Sequence, residues 1–101
     1  MIIQIITVNT DKLNVRVMIE KYSNNEFTVQ TDSKTNEEKY YNGFLLYRNR
    51  EGAVVFSSEK EVLRFMADSF FQGQSILSIK NDSSKLLSTT EVEEILQVVK
   101  V

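Results

Sequence analysis

Alternation dominates the first third of the chain. Leu13, Val15, Val17 and Ile19 share one side of a two-residue period, with Asn14, Arg16 and Glu20 on the other and Met18 and Tyr22 joining the polar set. That period, carried by β-branched residues, predicts a half-buried strand. The run Met1 to Val8, with four isoleucines and a valine, predicts another. Ser23-Asn24-Asn25-Glu26 supplies turn chemistry, and Phe27-Thr28-Val29-Gln30-Thr31 alternates again, so residues 13 to 32 read as a hairpin. The polar run Asp32 to Lys39 has no apolar period and reads as a loop. Tyr40 to Tyr47 and Ala53 to Phe56 then read as strands of a second hairpin joined through Arg48 to Gly52.

After Phe56 the period changes to helical spacing. Ser58-Glu59-Lys60-Glu61 is a capping box, predicting a helix that runs to about Gln72 with Gly73 as its left-handed stop. Val62, Leu63, Met66, Ala67 and Phe70 form its core stripe. Ser75 to Lys80 reads as a short strand, ended by the polar Asn81 to Lys85. Ser88-Thr89-Thr90-Glu91 is a second capping box, with Leu87 and Val92 as a hydrophobic staple, and Val92, Ile95, Leu96 and Val99 line the helix it opens.

The order is therefore βββββαβα in a single α+β domain spanning residues 1 to 101. Sequential hairpins favour a mostly antiparallel sheet of about six strands, curled or partly closed into a small barrel, with two helices covering a face or an end. In outline this resembles the small barrels of the PUA, OB and SH3-like kind. Regular open α+β packing is an equal alternative.

Composition narrows the chemistry. The chain of 101 residues contains no Cys and no His, which removes disulfides, thiolate and imidazole metal ligands, and every Ser-His or Cys-His catalytic arrangement. The net charge is −2, with residues 1 to 52 balanced and the excess acid in residues 53 to 101, so the global basic excess of a duplex-binding domain is missing. The apolar N-terminal run has neither a basic region nor a cleavage site and is too short to span a bilayer. A cytoplasmic protein with no membrane association is expected. The absence of Pro and the abundance of Asn, Lys, Ile and Ser suit a gene from a low-GC bacterium, or from its phage or plasmid.

Catalytic and metal sites are not expected. Glu37-Glu38 lies in a polar loop, and Glu91-Glu93-Glu94 complements a helix dipole. Ser57 and Lys60 have the spacing of a Ser-Lys nucleophile but are accounted for by the cap. The glycines stand too far apart for a phosphate-cradling loop, and no cofactor is implied.

Two segments instead have the composition of contact surfaces. Lys39 to Arg50 interleaves Tyr40, Tyr41 and Tyr47 with Arg48 and Arg50, residue types enriched at interfaces and also used to stack single-stranded bases. Gly43-Phe44 and Tyr47 partly resemble the RNP1 segment of RNA-recognition domains, but Asn42, Leu45 and the element order depart from it. Phe65 and Phe71 flank the first helix's core stripe and widen its apolar arc to roughly 240°. Either that helix is sandwiched, or one phenylalanine faces a partner.

These features favour a small non-enzymatic regulatory or inhibitory protein acting by protein-protein binding, through Tyr40, Tyr41, Tyr47, Arg48 and Arg50 or through Phe65 and Phe71. A regulator that binds single-stranded RNA or DNA through a PUA- or OB-like barrel is the alternative. A homodimer is compatible with either.

Overall fold

The computed structural model of the chain describes residues 1–35, 40–46, 48–49, 52–84 and 87–99, with backbone alone for 32–35, 40–46, 48–49, 53 and 83–84. In chain order the elements are β1 (Ile2–Thr10), β2 (Leu13–Lys21), β3 (Phe27–Thr35), β4 (Tyr40–Leu46), β5 (Arg48–Asn49) and β6 (Gly52–Ala53). They are followed by α1 (Glu59–Phe65), a π-helical turn over Met66–Phe70, β7 (Ile76–Ser84) and α2 (Thr89–Leu96). The class is α+β, with an antiparallel main sheet in the order β4-β3-β2-β1-β7.

Local chemistry sets each connection. At the β1–β2 turn the Thr10 hydroxyl accepts from the Leu13 amide at 2.8 Å and the Lys12 amide at 3.1 Å. At the β2–β3 turn Asn25 takes the left-handed region, φ 63°, which Asn tolerates better than most side chains. The ladder between β2 and β3 then runs in unbroken register from Lys21↔Phe27 to Leu13↔Thr35.

Four expectations are corrected. First, the sheet is open: β4 and β7 are its opposite edges, and no ladder among the described residues joins them into a barrel. It has five strands rather than about six. Second, β3 continues through Asp32 to Thr35, a stretch that reads as loop, because β2 supplies ladder partners along its whole length. Backbone pairing needs no apolar side chain. Third, β7 continues to Ser84 for a similar reason, and its polar residues are used: Thr7 Oγ1 donates to Asp82 at 2.7 Å, and Gln4 Nε2 donates to Asn81 Oδ1 at 2.8 Å. Irregular register beside Ile5/Ile6 and Asn9/Thr10 accommodates the strand's offset. Fourth, Ala53 to Phe56 does not form a strand against Tyr40 to Tyr47. β4 pairs with β3, β5 and β6 form a separate two-residue ladder, and Phe56 bridges to Phe27.

The helices pack on one face of the sheet. Ile6, Val8, Val15, Val17, Ile19 and Val29 meet Val62, Leu63, Met66, Val92 and Leu96 in one core. At the start of α1 the Ser58 hydroxyl accepts from the Glu61 amide at 3.1 Å, as the sequence predicts. The returning Glu61 carboxylate goes one residue further back, to the amide and hydroxyl of Ser57. These bonds, with Arg64 nearby, hold that carboxyl below its ordinary range. At α2 the capping box is complete, and Leu87 and Val92 are both buried as the staple predicts.

The π turn shifts the core stripe. An α-helical period places Phe70 inward after Met66; here the Phe71 amide bonds to the Met66 carbonyl at 2.9 Å, five residues back. One residue is thereby inserted into the turn. Phe71 is buried at 3% exposure, while Phe70 is half-buried and meets its ring edge-on at 5.0 Å. At the other terminus α2 stops at Leu96, so Val99 lies beyond the helix and is exposed. Its amide donates to the Ile76 carbonyl at 2.8 Å.

Candidate functional site

α1 and α2 run in the same direction. Glu59 in the first turn of α1 feels the charge of Glu91 in the first turn of α2, and the far ends of both helices flank one cavity of about 820 Å³. Phe71, Ile76 and Leu96, all buried, form its floor, with Ala67 and Ile95 half-buried beside them. Its rim carries Arg64, Asp68, Gln72, Glu94 and Gln97, whose side chains make no hydrogen bond or ion pair with the described residues. The cavity is within the size range of small-ligand and peptide sites.

The backbone around this cleft is irregular on three sides. The π-helical turn forms one wall, Gly73 at φ +77° turns the chain at its edge, and Gln97 caps α2 in the left-handed region at φ 58°. Glycine adopts such a φ without cost, whereas for Gln97 it is uncommon. Conformations of this kind concentrate where a surface is shaped for use.

The walls are also held rigidly. Gln74 Oε1 accepts from Thr10 Oγ1 at 2.8 Å, and its Nε2 donates to the Phe70 carbonyl at 3.3 Å. The Ser75 amide donates to Asp11 Oδ1 at 2.9 Å, and the Asp11 amide returns a bond to the Ser75 carbonyl at 3.1 Å. The segment from Phe71 to Ile76 is thus tied to the β1–β2 turn on one side and to Val99 on the other. Such pre-ordering lowers the entropic cost of binding.

The structure separates the residues that the sequence groups as contact candidates. Phe71 lies in the cleft floor as a core residue. Phe65 is half-buried and packs its ring at 5.1 Å from that of Phe56. Tyr40 and Tyr41 belong to edge strand β4 and Arg48 to β5, each described by backbone alone, while Tyr47 and Arg50 lie outside the described residues.

Two further features emerge only from the fold. At the opposite end of the sheet, exposed Met1, Tyr22 and Val55 border shallower hollows of about 510 and 400 Å³. Glu59 is 4% exposed, and neither of its carboxylate oxygens has a hydrogen-bond partner among the described residues. Burial, reinforced by the Glu91 charge, pushes its carboxyl up to about 7. Sequence offered no sign of this, since Glu at the start of a helix is ordinarily a solvated dipole partner.

Among the described residues no group of three or more acidic side chains converges on a point where a metal could sit. No helix of the described residues is long and apolar enough to cross a membrane. No family model, no curated protein and no solved structure matches the chain.

Proposed function

We propose that the protein is a non-enzymatic binding module, a small regulatory or inhibitory accessory protein of the cytoplasm, that captures a segment of a partner protein in the cleft between the ends of α1 and α2. The observation that carries this reading is a cleft of mostly polar lining, with side chains of both signs at its rim above a small apolar floor and one wall tied by hydrogen bonds through Gln74 and Ser75. A peptide backbone presents N–H donors and C=O acceptors in alternation. Gln72 and Gln97 can serve both, Arg64 can serve carbonyls, and Asp68 and Glu94 can serve amides. An aliphatic or aromatic side chain from the same segment would cover the half-buried Ala67 and Ile95.

The rim also disfavours a nucleic acid. Among the described residues Arg64 is its one cation against Asp68 and Glu94, which disfavours a phosphate backbone there.

The test is to pan a displayed random-peptide library against the protein. Peptides with an apolar anchor among uncharged residues are expected to be enriched, and capture should be lost in Ala67→Arg, which fills the cleft, but kept in Tyr22→Ala. Both variants should melt as cooperatively as the parent. Enrichment insensitive to Ala67→Arg, or salt-sensitive capture of single-stranded RNA instead of peptides, would overturn the reading.

A further inference from the structure

At the end of the helix pair remote from the cleft, Glu59 occupies a place that a carboxylate tolerates poorly. It stands at the first position of α1, follows the Ser58 cap, and is enclosed where α1 packs against α2 and β3. Its two oxygens neither accept nor donate a hydrogen bond among the described residues. A neutral carboxylic acid bears such isolation at modest cost, whereas an ionised one loses its hydration without compensation.

Among the described residues the charged neighbours do not offer relief. From α2 the group acting on Glu59 is Glu91, of like sign and itself committed to the Ser88 capping box. From its own turn, Glu61 is bonded to Ser57 and Lys60 is exposed. From the sheet, Phe27 and Val29 are apolar, and Lys21 lies over the Phe27 ring, 5.8 Å from its centroid, rather than pairing with Glu59.

We infer that Glu59 is a proton-operated latch between the starts of the two helices: protonated, it stays enclosed and the first turns of α1 and α2 pack together; ionised, it drives the first turn of α1 outward to reach water. The opening is local. Val62, Leu63, Val92 and Leu96 hold the rest of the pair to the sheet, and Phe56 remains bridged to Phe27 by two backbone bonds of 2.9 and 2.8 Å. This inference does not depend on what the cleft binds.

The sign follows from linkage. Enclosure raises the carboxyl above its value in the open form, so the closed form is favoured fully below the ordinary glutamate range and loses ground as pH rises toward neutrality. Two readouts on the full chain test this. A carbon-detected NMR titration of the Glu59 carboxyl should show a midpoint near neutrality, and this is read on the unmodified protein. Hydrogen-exchange protection of the first-turn amides of α1, corrected for intrinsic rates, should fall on the order of fifty-fold between pH 5 and pH 7.5. In Glu59→Gln it should stay flat. A carboxyl midpoint in the ordinary glutamate range, or the same fall in protection in Glu59→Gln, would overturn the latch.

Discussion

Replacing Phe71 and Phe70 by alanine, one at a time, tests the π turn through its energetic consequence. A continuous α-helix from Ser58 puts Phe70 in the core and turns Phe71 toward the flank. The π turn reverses this, with Phe71 at 3% exposure against Ile76 and the helix pair, and Phe70 half-buried. Truncating a fully buried phenylalanine costs about 3–5 kcal/mol through lost transfer energy and the cavity left behind. A half-buried ring that collapses onto solvent costs roughly half of that. Both variants lose the edge-to-face contact between the two rings, which adds about 1 kcal/mol to each and leaves their order unchanged. Urea unfolding followed by circular dichroism should therefore rank Phe71→Ala below Phe70→Ala by about 1.5–2.5 kcal/mol, with equal m-values. Equal losses, or a larger loss for Phe70→Ala, would mean that the helix runs in unbroken α geometry and that the cleft lacks its π-helical wall.

Other substitutions probe separate links. Glu59→Gln should remove a pH-dependent penalty: with the carboxyl raised from 4.5 to about 7, the wild-type chain loses up to about 3 kcal/mol between pH 4 and pH 8 relative to the variant, so a constant difference between their stability curves would contradict the burial. Glu61 has the opposite sign, because its carboxyl is lowered; its contribution is present above the ordinary glutamate range and is lost on acidification, and Glu61→Gln should flatten the acid limb of the stability curve. Ser88→Ala opens a complete capping box and should cost about 1 kcal/mol in chemical denaturation with the fold intact. Gln4→Leu breaks the buried bonds to Asn81 and the Leu87 carbonyl and should cost about 1–3 kcal/mol, which a wild-type midpoint would refute.

Sequence reading succeeds here where a residue's own chemistry decides its conformation. Ser58 and Ser88 mark both helix starts and alternation from Leu13 locates β2, while Gly73 takes the left-handed φ expected of it although the helical residues end earlier, at Phe70. It fails where a neighbour decides. Asp32 to Thr35 and Asn81 to Ser84 are strands because β2 and β1 lie alongside them, not because their side chains favour it. The π turn leaves no local sign either, since Phe70 and Phe71 are equally apolar and only their packing selects the inward one. The same limit hides the cleft. Arg64, Gln72 and Gln97 are ordinary solvated residues in the chain, and only the side-by-side arrangement of two helices separated by β7 brings them around one cavity. Glu59 looks like a helix-start carboxylate until α2 encloses it.

The most direct measurement of the binding claim is an amide chemical-shift map of the isotopically labelled protein titrated with the tightest peptide from the library. Shifts should cluster in 64–76 and 94–99, saturate at one peptide per chain, and disappear in Ala67→Arg. Shifts confined instead to residues 40–50, or to the hairpin end around Tyr22 and Val55, would place the interface elsewhere and contradict the assignment of the cleft.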